Sequence, residues 1–119
     1  LKIKNKVFFP GFDNNPFKYM SKCEVFVLTS AWEGMPNVLI QALLCGSKVV
    51  STNCPHGPRE ILKNGIYGKL VSVGDVESIY KAIKKSIYEK KNKTFKNKIE
   101  NAFSLKTQIT KLEKLFFVK

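Results

Sequence analysis

Apolar residues recur along this chain in two alternating rhythms. Short, nearly continuous apolar runs occur at residues 6–11 (KVFFPG), 23–30 (CEVFVLTS), 47–52 (SKVVST) and 67–74 (YGKLVSVG). They are rich in β-branched and aromatic residues and are bounded by Gly, Pro or Ser, which predicts strands. Between them the spacing lengthens to the helical period. NNPFKYMSK (14–22) predicts a short helix with Pro16 near its start, and PNVLIQALLCG (36–46) a helix ending at Gly46. GPREILKNG (57–65) allows one or two helical turns. DVESIYKAIKKSIYEKK (75–91) predicts an amphipathic helix capped by Asp75, with Val76, Ile79, Tyr80, Ile83 and Ile87 at helical spacing. A last helix is expected over residues 105–117, grouping Ile109, Leu112, Leu115 and Phe116, while EKKNKTFKNK (89–98) reads as a loop or frayed segment.

Strands that are apolar on both faces and alternate with helices predict an α/β fold. Its parallel, Rossmann-like sheet of about four strands carries helices on both faces. The 119 residues suit one domain, and 44% hydrophobic content is enough for a core. No apolar run approaches the roughly 20 residues of a membrane span. The start, LKIKNKVFFPGF, has neither an initiator Met nor the apolar core of a signal peptide, as expected for the middle of a longer protein or a lost start site. Cys23, Cys45 and Cys54 are odd in number and lack metal-ligand spacing. Cys45, on its apolar helix, reads as a buried reduced thiol, which suits a cytoplasmic location.

The net charge of +12 changes meaning once it is located. From Lys81 onward twelve lysines face only Glu89, Glu100 and Glu113, so the tail carries +9 of it. Arg59 is the only arginine. Base readout favours arginine forks and single-strand platforms interleave aromatics with positive charge, so no nucleic-acid partner is expected. A solvated helix surface accounts for the lysines; peripheral contact with an anionic membrane at its inner face, or with an anionic acceptor, is the other reading.

The chemistry concentrates where the second strand meets the second helix. Ligands of open parallel sheets bind beyond the carboxyl ends of strands, against helix N-termini. There the first N–H groups lack internal partners and the dipole favours an anion. Gly34 allows close approach, and Pro36 suits the first helical position. The N–H groups of Met35, Asn37 and Val38 are then candidate donors to a phosphate. Gln41 stands among Val38, Leu39, Ile40, Ala42, Leu43, Leu44 and Cys45, so the helix reads as buried nearly all round. A buried amide left unpaired costs about 1–3 kcal/mol, so Gln41 needs a partner in the protein or a ligand.

Residues 30–75, from SAWEGMPN through NCPHGPREILKNG to KLVSVGD, resemble the nucleotide-sugar-binding half of the retaining GT-B glycosyltransferases of family four. That family carries a Glu, seven residues and a second Glu in this strand-to-helix context, then Ala-x-x-x-Gly and a strand. VFFPGFDNNPFKYMSKCEVFVLTS and GKLVSVGDVESIYKAI extend the similarity over residues 7–87, and ENAFSLKTQI resembles the family's C-terminal helix. The resemblance implies one incomplete GT-B C-terminal domain over residues 1–119, with 88–119 as a basic helical tail. It implies a glycosyltransferase module that binds a nucleoside-diphosphate sugar for transfer, with retention, to a glycan or lipid-linked acceptor. By the same resemblance Glu33, aligned with the first acid, is expected to face the donor sugar in a catalytic role. Gly34, Met35, Pro36, Asn37 and Val38 are implied to hold the diphosphate or sugar, and Gly11 and Phe12 to lie near the base. Gln41 departs from the pattern, replacing the acid that accepts from both ribose hydroxyls, which implies weaker or altered donor binding.

The resemblance further implies no metal and no cofactor, the leaving diphosphate being held by helix N-termini and basic side chains. It also implies a missing N-terminal acceptor domain, supplied in cis or in trans, so that this chain alone would be inactive. A non-catalytic remnant or interaction module with a basic tail is the alternative. His56 reads as a loop histidine, Arg59 and Glu60 as an ion pair, and Trp32 as either a pocket wall or a packing residue.

Overall fold

Three of the four apolar runs become strands in the computed structural model of the chain, which describes residues 3–90, 93–104 and 106–110. β1 (Val25–Leu28), β2 (Lys48–Thr52) and β3 (Lys69–Val71) form one parallel sheet in that order. Val25 lies opposite Lys48, and Thr52 opposite Val71. Around the sheet run α1 (Phe17–Lys22), α2 (Asn37–Leu44), α3 (Pro58–Ile61), α4 (Val76–Tyr88) and α5 (Lys93–Phe103). A short 3-10 turn, Lys4–Lys6, precedes them.

The core forms where α2 meets β2. Leu39, Ala42 and Leu43 of α2 pack with Val49 of β2, Ile61 and Leu62 at α3, Met20 of α1 and Ile99 of α5. Burying a Leu or Ile side chain contributes about 1.5–3 kcal/mol, so this cluster holds four helices to one face. α4 packs against all three strands, and the helices α1, α3 and α5 gather on α2. The sheet is therefore covered on both sides, as its two-faced apolar strands require.

The caps follow local chemistry. Gly46 ends α2 at φ 79°, with the Ser47 N–H on Ala42 O (3.0 Å) and the Gly46 N–H on Leu43 O (2.9 Å), a Schellman closure. Asp75 caps α4 as expected, accepting from the Ser78 N–H (2.9 Å) and hydroxyl (2.6 Å), which lowers the pKa of its carboxyl. At the other end of α4, Lys48 Nζ donates to the carbonyls of Ile87 (3.2 Å) and Glu89 (3.1 Å). Those are carbonyls a helix end leaves without partners.

Four expectations change. The run KVFFPG is no strand: residues 7–10 pair with nothing in the sheet, and Phe8 and Phe9 are 80% and 88% exposed. A run of β-branched and aromatic residues confers strand propensity, but a strand also needs a ladder partner, and among the described residues none flanks this segment. EKKNKTFKNK is mostly helix, since α5 begins at Lys93. On α4 the buried line is Ala82 and Ser86 with half-buried Ile79 and Ile83, whereas Val76, Tyr80 and Ile87 are exposed. All three cysteines are free, but Cys54 is the buried one and Cys45 is half-buried. Ile109 lies in helical residues 106–110; Leu112, Leu115 and Phe116 lie outside the described residues.

Candidate functional site

β1 ends at Leu28, and the chain turns through residues 29–36 before α2 starts at Asn37. Pro36 occupies the N-cap with φ −73° and ψ 80°, an inverse γ-turn rather than a helical position. That turn puts the Asn37 N–H on Met35 O at 2.8 Å, and the Leu39 N–H on Pro36 O at 2.9 Å. The Asn37 N–H is thus engaged, contrary to its expected role as a phosphate donor. The N–H groups of Met35 and Val38 stay outside these turn bonds.

The acid is held in place from below. Ser30 Oγ donates to Glu33 Oε1 at 2.6 Å, and Thr52 Oγ1, at the end of β2, donates to Ser30 O at 2.6 Å. Thr52 is buried, while Glu33 and Ser30 are half-buried. Above Glu33 the chain is open: a Cβ on Gly34 would meet nothing within 4 Å, and Met35 is exposed. Trp32 does not pack into the core, being 81% exposed.

A second loop closes on the first. Gly57, at φ 82°, lies so near that a Cβ there would stand 2.3 Å from Pro36 Cδ and 2.7 Å from Gly34 O. This contact joins the loop after β2 to the loop after β1, at the carboxyl edge of the sheet. A cavity of about 320 Å³ opens there, lined by residues 53–57 with Arg59 and Glu60. Within it Arg59 Nε donates to Asn53 Oδ1 (3.2 Å), which replaces the expected pairing with Glu60. His56 is exposed in its turn, at φ 60°.

Gln41 sits one turn into α2 but is half-buried, and Leu44 beside it is exposed. α2 is therefore not buried all round, and no buried side-chain polar atom among the described residues lacks a partner. The amide is free to bond outward. Gly11 and Phe12 precede α1, and Phe12 is 93% exposed; no described hydrogen bond ties either to the Glu33 loop. The structure thus brings together Glu33, Gly34, Met35, Pro36, Asn37 and Val38, with Gln41 a turn behind. Ser30, Thr52 and Gly57 were not singled out from the sequence. Ser-x-x-Glu at residues 30–33 was a usable signal for Ser30, since a hydroxyl three residues before an acid lies within reach of it across a turn. Nothing local marks Thr52 or Gly57.

A second cavity of about 320 Å³ lies at the opposite, amino edge of the strands, near Ser47, Lys48, Tyr67 and Lys69. Of the three lysines that line it, Lys48 is engaged by the end of α4 and Lys69 by Glu89 at 2.8 Å, while Lys90 is exposed. Among the described residues no group of three His, Cys, Asp or Glu side chains is placed to hold a metal ion. No helix among them is long and apolar enough to cross a membrane.

Residues 1–104 match the family Glycosyl transferases group 1. A Campylobacter jejuni protein, N-acetylgalactosamine-N,N'-diacetylbacillosaminyl-diphospho-undecaprenol 4-alpha-N-acetylgalactosaminyltransferase, is 42% identical over 82% of this chain and 27% of its own length. The UDP-Gal:alpha-D-GlcNAc-diphosphoundecaprenol alpha-1,3-galactosyltransferase of Escherichia coli is 28% identical over 98% of the chain and 31% of its own. A lipopolysaccharide 1,6-galactosyltransferase of Salmonella typhimurium is 31% identical over 65% of the chain and 23% of its own. The chain thus spans less than a third of the length of these curated relatives.

Proposed function

The chain belongs to the glycosyl transferases group 1 family, and on that premise we propose that it is the donor-binding part of a retaining hexosyltransferase. The observation that carries this reading is the held carboxylate of Glu33 beside an open Gly34 and the start of α2. A nucleoside diphosphate-sugar lies across the carboxyl edge of the sheet. Its diphosphate meets the N–H groups of Met35 and Val38, where the positive end of α2 favours an anion. Glu33 accepts from the sugar's hydroxyls, and Gln41 reaches the ribose, accepting from one hydroxyl and donating to the other. The oxygen of an acceptor hydroxyl then replaces the diphosphate oxygen at the anomeric carbon with configuration retained, and the hydroxyl proton is released with the nucleoside diphosphate.

The acceptor is proposed to be a lipid-linked glycan, because two of the relatives are named for diphospho-undecaprenol substrates. A second reading, a non-catalytic interaction module, is favoured by one observation: Gln41 brings no charge to the ribose position. Sugar transfer by the complete protein separates the two. Glu33→Ala is expected to abolish or greatly lower transfer while the melting temperature stays near that of the wild type, because Glu33 lies at an edge outside the core. Transfer at the wild-type rate by Glu33→Ala would refute the site.

A further inference from the structure

We propose that Ser30, backed by Thr52, is a positioning residue that sets the orientation of the Glu33 carboxylate toward the donor sugar; this rests on the role of Glu33 given above. At 2.6 Å, the Ser30 Oγ–Glu33 Oε1 contact has the length of a hydroxyl bonded to an ionised carboxylate. It engages Oε1 and leaves Oε2 outside the described hydrogen bonds. A carboxylate with one oxygen tethered presents the other in one direction, whereas an untethered Glu samples several rotamers.

Ser30 is itself fixed. Thr52 Oγ1 donates to Ser30 O at 2.6 Å and approaches Leu28 O at 3.5 Å, so the last turn of β1 is tied to β2. Thr52 is 1% exposed, and the ladder continues past it through the Asn53 N–H on Val71 O at 2.7 Å. The acid on the loop is thus referenced, through two hydroxyls, to the central strand. Rigid elements hold a functional side chain more closely than a loop does alone. The hydroxyl of Ser30 bonds to the acid, so its loss is expected to change how well the sugar is gripped, without changing the grip on the nucleotide.

Calorimetric titration of the complete protein with UDP and GDP, and with UDP-galactose, UDP-glucose and GDP-galactose as probes, tests this, the measured quantity being the preference for a nucleotide-sugar over its nucleotide. Ser30→Ala is expected to lower that preference by about tenfold while UDP affinity and melting temperature stay at wild-type values. Ser30→Thr, which keeps a hydroxyl, is expected to retain it. Glu33→Ala is expected to remove it. If Glu33→Ala removes the preference and Ser30→Ala leaves it intact, the positioning role is refuted and the Glu33 reading stands. If Ser30→Ala weakens UDP and the nucleotide-sugars equally, Ser30 acts on the loop as a whole and the proposal also fails. If Glu33→Ala leaves the preference unchanged, or the wild type has none, the role of Glu33 falls and the inference falls with it.

Discussion

Replacing Gly57 by Ala is the sharpest perturbation of the way the two loops meet. Gly57 has φ 82° and ψ −63°, a conformation that L-residues adopt only under strain. Holding a side chain there costs about 1–3 kcal/mol. The new methyl would also stand 2.3 Å from Pro36 Cδ, 2.7 Å from Gly34 O and 3.3 Å from Pro36 Cγ. A proline ring and a main-chain carbonyl cannot swing aside, so the loops must part, at about 1–3 kcal/mol for overpacking. The total, about 2–6 kcal/mol, is set against a typical domain stability of about 5–15 kcal/mol. At about 4 °C per kcal/mol, the melting temperature should fall by roughly 8–24 °C.

Gly74→Ala is the control, since Gly74 has φ 79° and open space where its Cβ would be. It carries only backbone strain, about 1–2 kcal/mol. Gly34→Ala completes the set: its position is neither strained nor crowded, so it should melt with the wild type. Its methyl would nevertheless stand in the open space proposed for the ligand, and calorimetry should show weaker binding of a nucleoside diphosphate-sugar. Thermal melts of the three variants are the assay. If Gly57→Ala melts no lower than Gly74→Ala, the loops are not in contact and the joined edge described above is wrong.

Gln41→Leu should weaken UDP binding in calorimetry by about 1 kcal/mol through lost ribose bonds, and Gln41→Glu should tighten it; unchanged affinity in both would place the ribose elsewhere. Asp13 has its pKa lowered to about 2 from 3.8, first by the Lys18 ammonium and then by the Asn15 N–H, so its contribution to stability is present above the ordinary carboxylate range and is lost as pH falls through about 2. The melting difference between wild type and Asp13→Asn should therefore be full near pH 6, shrink below pH 4 and be mostly lost at pH 2, and a difference independent of pH would contradict the ion pair. If the lysines of α4 contact anionic membranes, sedimentation with anionic vesicles should weaken as salt rises and when Lys81, Lys84 and Lys85 are neutralised; equal binding to neutral vesicles would return them to a solvated surface.

Local chemistry is legible wherever a residue's neighbours in sequence are its partners in space. The Asp75 cap and the Gly46 helix stop involve groups within five residues of one another, and both stand as read. The parallel sheet was legible for a related reason, because strands apolar on both faces admit few other arrangements. The position of Glu33 before an apolar helix likewise pointed to the carboxyl edge of the sheet, and family resemblance supplied what the residues alone left open.

Tertiary structure decided the rest. KVFFPG has the pattern of a strand, but pairing is a property of two segments, and Phe8 and Phe9 stay exposed where no neighbour is described. Gln41 stands in an apolar run, yet whether it is buried depends on what covers that face of α2, and there the side chain is only half covered. Asn37 was expected to offer its N–H until Pro36 adopted a γ-turn and Met35 O took it. Thr52 lies 22 residues from the Ser30 carbonyl it fixes, and Gly57 lies 21 residues from the Pro36 ring it abuts. Propensity and periodicity report what a segment prefers within a few residues. Contacts across twenty residues are created only when the sheet brings the two loops to the same edge, and the proposed site is made of such contacts.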